Sequence, residues 1–584
     1  MFLGVCIVLS LFAVQLLRLQ ALDASAMAKQ ALAGRLTTTT VPATRGDILD
    51  RNGAVLATSL ERYDVTVDQR AVPKYFQYVR DAAGRKQKQV LGLDGAVRDL
   101  APLLKMSESD LRAKLDGDRG FVYVKKGLSP QTWRAVKAVQ VPGIYAERTS
   151  TRFYPGNGLG SSVVGFMGTD PKSGTDLVPR AGIEQSWNAK LNGRAGSVTY
   201  ERDPKFRQIA GGEVERKPAV DGAAVQLTID RDLQWRAEKL LAAKVKETKA
   251  LSGVVVVMRK DGTILALANA PGFNPNDTRK AKAENMYNRA LSEVYEPGST
   301  GKVMTAAAAL EEGAVTPSTP FSVDSTVRRV GKTFHDSHSH PTEHLTFAGV
   351  LATSSNVGTI MAGEKLSPGT MYRYLTGFGI GQPSGLKFPG ESRGILADVK
   401  DWSGSQRYTV LFGQGLSVNA VQAAGVYQTI ANDGVRVAPQ VVAGTRDQSG
   451  RFLKAPAAKQ VRVVSPDTAR TLRTMLEGVV SAEGTAPEAR IEGYRVAGKT
   501  GTAQRVDPEC SCYQGYTGSF IGIAPADDPE LVVAVTLQRP TNGYYGGVVA
   551  APVFHDVMTY ALQKLQIPPT GTASPKVSIT TGDR

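Results

Sequence analysis

The spacing of apolar and polar positions changes several times along this chain, and each change marks a different kind of element. Met1 to Leu17 is almost wholly apolar and ends at Arg18. A run of that length lies near the short limit for a membrane-spanning helix, so an anchor is expected over residues 1–20. The alternative is a signal peptide cleaved near Ala24-Ser25-Ala26; it is disfavoured because no Lys or Arg precedes the apolar run. From Gln20 to Leu36 the alanine-rich spacing predicts a helix leading away from the anchor. The β-branched stretch Thr37 to Val41, closed by Pro42, predicts an extended segment. Asn52-Gly53 predicts a hairpin turn, the alternation Tyr63-Asp64-Val65-Thr66-Val67 a strand, and Val97 to Leu115 helices.

A boundary is expected near Lys217 to Gly222. Beyond it the pattern predicts a strand over Ala224 to Ile229 and a helix from Asp230 to Glu247. The runs Gly253 to Met258 and Thr263 to Ala268 flank Asp261-Gly262 and predict a hairpin. With strands near Gly518 to Ile523 and Leu531 to Leu537, they suggest one antiparallel sheet against which alanine-rich helices pack. The end, residues 567–584, is rich in Pro, Thr and Ser and is expected to be disordered.

Composition narrows the class. At 584 residues the chain exceeds one ordinary core, and 42% hydrophobic with 21% charged residues is globular usage. The net charge of +16 comes without basic runs interleaved with aromatics and without a nucleic-acid motif. An anionic lipid surface or an anionic wall polymer fits that charge better than nucleic acid. Of the three cysteines, Cys6 lies in the apolar run, while Cys510 and Cys512 flank one serine in a loop. A bond between those two would close a very small ring. Paired and free thiols both remain open, and no companion metal ligands lie nearby in the sequence.

Three short segments carry the candidate chemistry: Ser299-Thr300-Gly301-Lys302, Ser354-Ser355-Asn356 and Lys499-Thr500-Gly501. If the first opens a helix, Ser299 and Lys302 share a face and an amine lies beside a hydroxyl. A serine needs such a partner, because its free pKa makes it a weak nucleophile. Glu296-Pro297-Gly298 is a turn that launches a helix, and Val303 to Leu310 is small and apolar, suited to burial on most sides. Lys499 follows the short apolar run Tyr494 to Gly498, which reads as a strand continuing through Thr502. Gly501, lacking a Cβ, would let a substrate backbone approach that strand closely. Each segment alone is an ordinary surface helix or turn; their order and setting make a serine acyl-transfer site the better reading.

With these residues in view, the chain resembles the class B penicillin-binding proteins, peptidoglycan D,D-transpeptidases, over nearly its whole length. Arg45-Gly46, Asp50 to Gly53, Arg152 with Tyr154-Pro155, and Gly182-Ile183-Glu184 match the family's amino-terminal signature. Their expected role is structural. Phe412 to Asn419 and Cys510-Ser511-Cys512 suggest similarity to the septal FtsI type of actinobacteria. The resemblance implies an α/β (α+β) penicilloyl-serine transferase fold with an antiparallel sheet. It implies an anchor (1–20), a non-catalytic pedestal, or penicillin-binding protein dimerisation domain (21–216), a transpeptidase domain (217–566) and the tail (567–584).

It also implies roles. Ser299 is the acylated nucleophile, Lys302 its base, Ser354 a proton relay, and Asn356 a holder of Lys302 and the substrate amide. Lys499 faces the substrate carboxylate, Thr500, Gly501 and Thr502 bind substrate, and backbone N–H groups of Ser299 and Thr502 form an oxyanion hole. No cofactor or metal is implied. The implied partners are peptidoglycan stem peptides, β-lactams, the membrane, and divisome proteins including an FtsW-type glycan polymerase. The implied location is the cell membrane, single-pass, with the catalytic domain outside.

Gly301 departs from the many relatives that carry a bulky residue there. The cluster His335-Asp336-Ser337-His338-Ser339-His340, with His344, reads as a polar loop in preference to a metal site. The alternatives to septal cross-linking are a D,D-carboxypeptidase or β-lactamase-like hydrolase, an elongation-type transpeptidase, and a non-enzymatic divisome scaffold.

Overall fold

The computed structural model describes residues 1–18, 29, 31–81, 84–170, 172, 177–203, 208–507 and 510–582. The chain forms two compact units. The first comprises Met1–Gly46, Ser59–Thr151 and Ala189–Ala223; the second comprises Asp47–Thr58, Arg152–Asn188 and Ala224–Arg584.

In the first unit, Leu36–Val41, Gly196–Arg202 and Gln208–Lys217 form an antiparallel three-stranded sheet with Gly196–Arg202 in the middle. The helices Gly92–Leu104 and Glu108–Leu115 bury Val97, Leu100, Leu104, Leu111 and Leu115 in one cluster with Val65 and Val67. Ser107 caps the second helix by accepting the Asp110 N–H, satisfying a donor that the helix itself cannot.

The expected membrane-spanning helix is not found. Phe2–Leu17 is helical and exposed along its length, but its 16 residues reach only about 24 Å, against an apolar bilayer core of about 30 Å. Among the described residues no helix is long and apolar enough to cross a membrane. Most of the helix expected over 20–36, with the Ala24-Ser25-Ala26 site, lies outside the described residues.

The second unit holds the expected antiparallel sheet. Its elements in chain order are α1 (Arg231–Thr248), β1 (Ser252–Arg259), β2 (Ile264–Ala270), α2 (Lys302–Glu311), α3 (Asn356–Gly363) and α4 (Ala420–Ala431). They are followed by β3 (Ala497–Asp507), β4 (Cys512–Ala524), β5 (Leu531–Gln538) and α5 (Ala551–Lys564). The strand order is β2-β1-β5-β4-β3, which leaves β3 at an edge. Asp230 caps α1, its Oδ1 accepting the Asp232 and Leu233 N–H groups at 3.1 Å. Every residue of β2 and β5 is buried, so these strands read as near-continuous apolar runs, interrupted by Asn269, Thr536 and Gln538, in place of alternation. Burial of both sets of alternate residues requires cover on both faces, and α1, α4 and α5 pack against the sheet.

The family signatures in this unit are structural. Asp50 Oδ1 accepts the Asn52 and Ala54 N–H groups at 2.8 Å, closing the turn in which Gly53 takes φ +87°. Arg152 Nε donates to Glu184 Oε1 at 2.6 Å, with side chains only 4% and 0% exposed. The Tyr154 hydroxyl donates to the same carboxylate at 3.3 Å and accepts the Met167 N–H at 3.1 Å. Burial beside that carboxylate pushes the Tyr154 phenol far above its usual pKa.

Residues 567–582, expected to be disordered, instead lie along this unit. Tyr494 donates its hydroxyl proton to the Ile567 carbonyl at 2.6 Å, Thr346 Oγ1 donates to Ser578 O at 2.6 Å, and Ile579 is buried. A Cβ at Gly349 would fall 2.0 Å from the Ile579 carbonyl oxygen, so glycine permits that close approach. The segment makes no regular element, but backbone groups of Ile567, Ser578, Ile579 and Thr581 find partners on the body of the unit. Cys510 and Cys512 are joined by a disulfide, with Cα atoms 5.2 Å apart.

Candidate active site

Ser299 lies half-buried in a single 3₁₀ turn, Gly298–Gly301, that runs directly into α2. The turn needs glycine at 298: φ there is +51°, and a Cβ would meet Ala503 Cβ of β3 at 2.9 Å. Gly298 N–H donates to Gly413 O at 2.9 Å, and Tyr427 from α4 donates its hydroxyl proton to Thr300 O at 3.0 Å. Gly415 N–H donates to Glu296 Oε1 at 2.8 Å. The glycine-rich segment 412–419 thus cradles the serine turn. At Gly301 a Cβ would sit 3.0 Å from Gly413 Cα, so the small residue that departs from many relatives fits a close backbone contact here.

Lys302 is 0% exposed. Its Nζ donates to Ser354 O and, at 3.3 Å, to Ser354 Oγ. Burial draws the amine down to about 7 from the ordinary lysine value, and the Asp336 carboxylate opposes that fall. Near neutrality Lys302 can therefore hold or release a proton, as a general base must.

Ser354 reaches it because two helices break around it. The helix Phe347–Ala352 ends with Ser354 in the left-handed region at φ +65°, where glycine is the usual occupant. Ser355 then caps α3 by accepting Gly358 N–H at 2.8 Å. Asn356 places its amide elsewhere than expected: Nδ2 donates to the His335 carbonyl at 2.8 Å, while the bonds found at Lys302 go to Ser354.

β3 brings the third segment to the serine turn. Lys499 pairs in register with Ile521 and is 0% exposed; burial, then the nearby Lys302, push its amine well below the ordinary range. A substrate carboxylate placed beside it would reverse that shift by restoring an opposite charge. Thr500 Oγ1 lies 2.8 Å from Thr485 Oγ1, and Thr502 Oγ1 accepts the Gly546 N–H at 3.1 Å, leaving its own proton to donate. Gly501 is required for a reason other than substrate approach. Its missing Cβ points into the fold, where it would lie 2.4 Å from Ser519 Oγ and 3.0 Å from Pro297 O.

All three segments therefore meet, and the structure adds Asp336, which sequence reasoning passed over inside the histidine cluster. Among the described residues no group of His, Cys, Asp and Glu could hold a metal ion.

Residues 252–559 match the penicillin-binding protein transpeptidase domain, and residues 40–227 match the penicillin-binding protein dimerisation domain. The chain belongs to the penicillin-binding protein transpeptidases. It is 36% identical to the penicillin-binding protein PbpB of Mycolicibacterium smegmatis, over 99% of this chain and 91% of that one. It is 31% identical to the peptidoglycan D,D-transpeptidase FtsI of Escherichia coli K12, over 97% and 90%. Among solved structures, penicillin-binding protein 3 of Mycobacterium tuberculosis complexed with ampicillin superimposes with a TM-score of 0.71 at 31% identity, covering 93% of this chain and all of that one. Penicillin-binding transpeptidases are serine acyltransferases, and the serine–lysine pair described above lies inside the matched domain.

Proposed function

We propose that this protein cross-links peptidoglycan stem peptides as a septal D,D-transpeptidase and is acylated by β-lactams at Ser299. The observation that carries the reading is the burial of Lys302 against Ser354, which holds its amine near neutrality three residues from a half-buried serine. Ser299 Oγ attacks the carbonyl between two D-alanines while Lys302 takes the serine proton. The Ser299 and Thr502 N–H groups stabilise the tetrahedral oxyanion, each worth about 3 kcal/mol in comparable sites. Ser354, hydrogen-bonded to Lys302, passes a proton to the leaving D-alanine amine. Lys499, with Thr500 and Thr502, binds the substrate carboxylate, and Asn356 binds the stem-peptide amide. The amine of a second stem peptide then attacks the acyl-enzyme, restoring Ser299 and forming the cross-link.

The remaining assignments rest on the relatives. The septal role follows PbpB and FtsI, and with it come divisome partners including an FtsW-type polymerase. Stem peptides lie outside the cell membrane, so the catalytic unit works there, at the membrane's outer side. Residues 217–566 are assigned to the transpeptidase domain and 21–216 to the pedestal, in line with the matched segments 252–559 and 40–227. Incubation with fluorescent penicillin tests the reading. A long-lived adduct on wild type that vanishes in Ser299→Ala is the expected result; rapid turnover of penicillin would point to a hydrolase and contradict it.

A further inference from the structure

The second motif is held in place by a carboxylate outside all three motifs. Asp336 is 6% exposed at its side chain and gathers four donors. Oδ2 accepts the Ser355 hydroxyl proton at 2.7 Å and faces His340 Nε2 at 3.2 Å; Oδ1 accepts the Asn356 N–H and, at 3.0 Å, the Val357 N–H. Ser355 satisfies the Gly358 N–H at the start of α3, and Asp336 Oδ1 takes the two N–H groups before it, so this carboxylate from a distant segment completes the cap of the helix. His340 presents both ring nitrogens to acceptors, Nε2 to Asp336 and Nδ1 to Pro341 O at 2.7 Å, with Glu343 at 3.9 Å. A carbonyl and a carboxylate only accept, so both favour the doubly protonated ring and, against the opposing effect of burial, raise its pKa above the ordinary histidine value.

We propose that Asp336, oriented by His340, is a positioning residue for acyl transfer: it fixes the loop that presents Ser354 to Lys302 and sets the charge that Lys302 faces. The proposal rests on the reading that Ser299 is acylated with Lys302 as its base. The charged groups around the device are His340, Glu343 and Lys302, with His338 stacked edge-on against His340 at 5.7 Å and Lys499 beyond Lys302. Asp336 opposes the desolvation that lowers the Lys302 amine. Removing its charge while keeping its shape should make Lys302 lose its proton more readily, and loosening Ser354 should slow the reaction.

The test is the pH dependence of penicillin acylation of the full chain, for wild type, Asp336→Asn and His340→Gln, with thermal midpoints measured alongside. Asp336→Asn is expected to lower the plateau rate about tenfold, a modest part of the span general acid–base catalysis covers, and to move the acid limb to lower pH. His340→Gln keeps a donor toward Oδ2 but removes a positive charge, so its limb should move the opposite way. If Asp336→Asn does not fold, the His340→Gln displacement decides. A slower plateau with an unmoved limb in the folded variants, or profiles coincident with wild type, would overturn the proposal. A wild type that forms no Ser299 adduct would instead overturn the reading on which it rests.

Discussion

Two cations of the same unit, Arg152 and Lys302, have buried side chains, and their surroundings differ. Arg152 sits 2.6 Å from the Glu184 carboxylate and shares it with Tyr154, so its charge is matched in place. Lys302 has a carbonyl and a hydroxyl for hydrogen-bond partners and a carboxylate, Asp336, whose influence does not offset burial. The paired cation ties residues 152 and 184 together, while burial draws the under-matched one down toward neutrality, where it can act as a base. Burial alone does not mark a functional charge; incomplete compensation does.

The largest effect expected from breaking this contrast is chemical. Ser299→Ala should abolish the penicillin adduct, read by gel fluorescence, with a thermal midpoint close to wild type. Lys302→Met should slow acylation by about a thousandfold, the range a lost general base covers. Its thermal midpoint should be equal or higher, because an under-compensated buried cation is replaced by an apolar chain. Arg152→Met should do the reverse. Leaving the buried Glu184 carboxylate without its Arg152 partner should cost about 3–5 kcal/mol in denaturant unfolding, while the fraction that stays folded is acylated at nearly the wild-type rate. The smallest effect belongs to Gly501→Ala. The added methyl must displace Ser519 Oγ and press on Pro297 O, costing about 1–3 kcal/mol and slowing acylation through a shifted serine turn.

Much of the fold was legible because its signals are local. The helical run beginning at Asp230 and Asp261-Gly262 between two apolar runs specify a helix start and a turn within a few residues. The three motifs were legible as chemistry for the same reason. What escaped depends on contacts between distant segments. Asp336 acts on residues about twenty positions away, and nothing in its own neighbourhood of histidines and serines signals that. The direction of the missing Gly501 Cβ follows from which face of β3 meets the serine turn. The tail composition suggested disorder because it says nothing of the acceptors and donors that the body presents, such as Thr346 and Tyr494. The apolar run Met1 to Leu17 announced a helix and its extent, and the observed Phe2–Leu17 falls short of the span expected over residues 1–20.

The central claim, that burial makes Lys302 the base for Ser299, is tested most directly by the pH dependence of wild-type acylation by penicillin. A protonated amine cannot take the serine proton, so the rate should be low in acid, rise as pH passes through about 7, and level off above it, with the adduct mapped to Ser299. A rate that stays flat across that region, or that climbs only near the ordinary lysine value, would contradict the account.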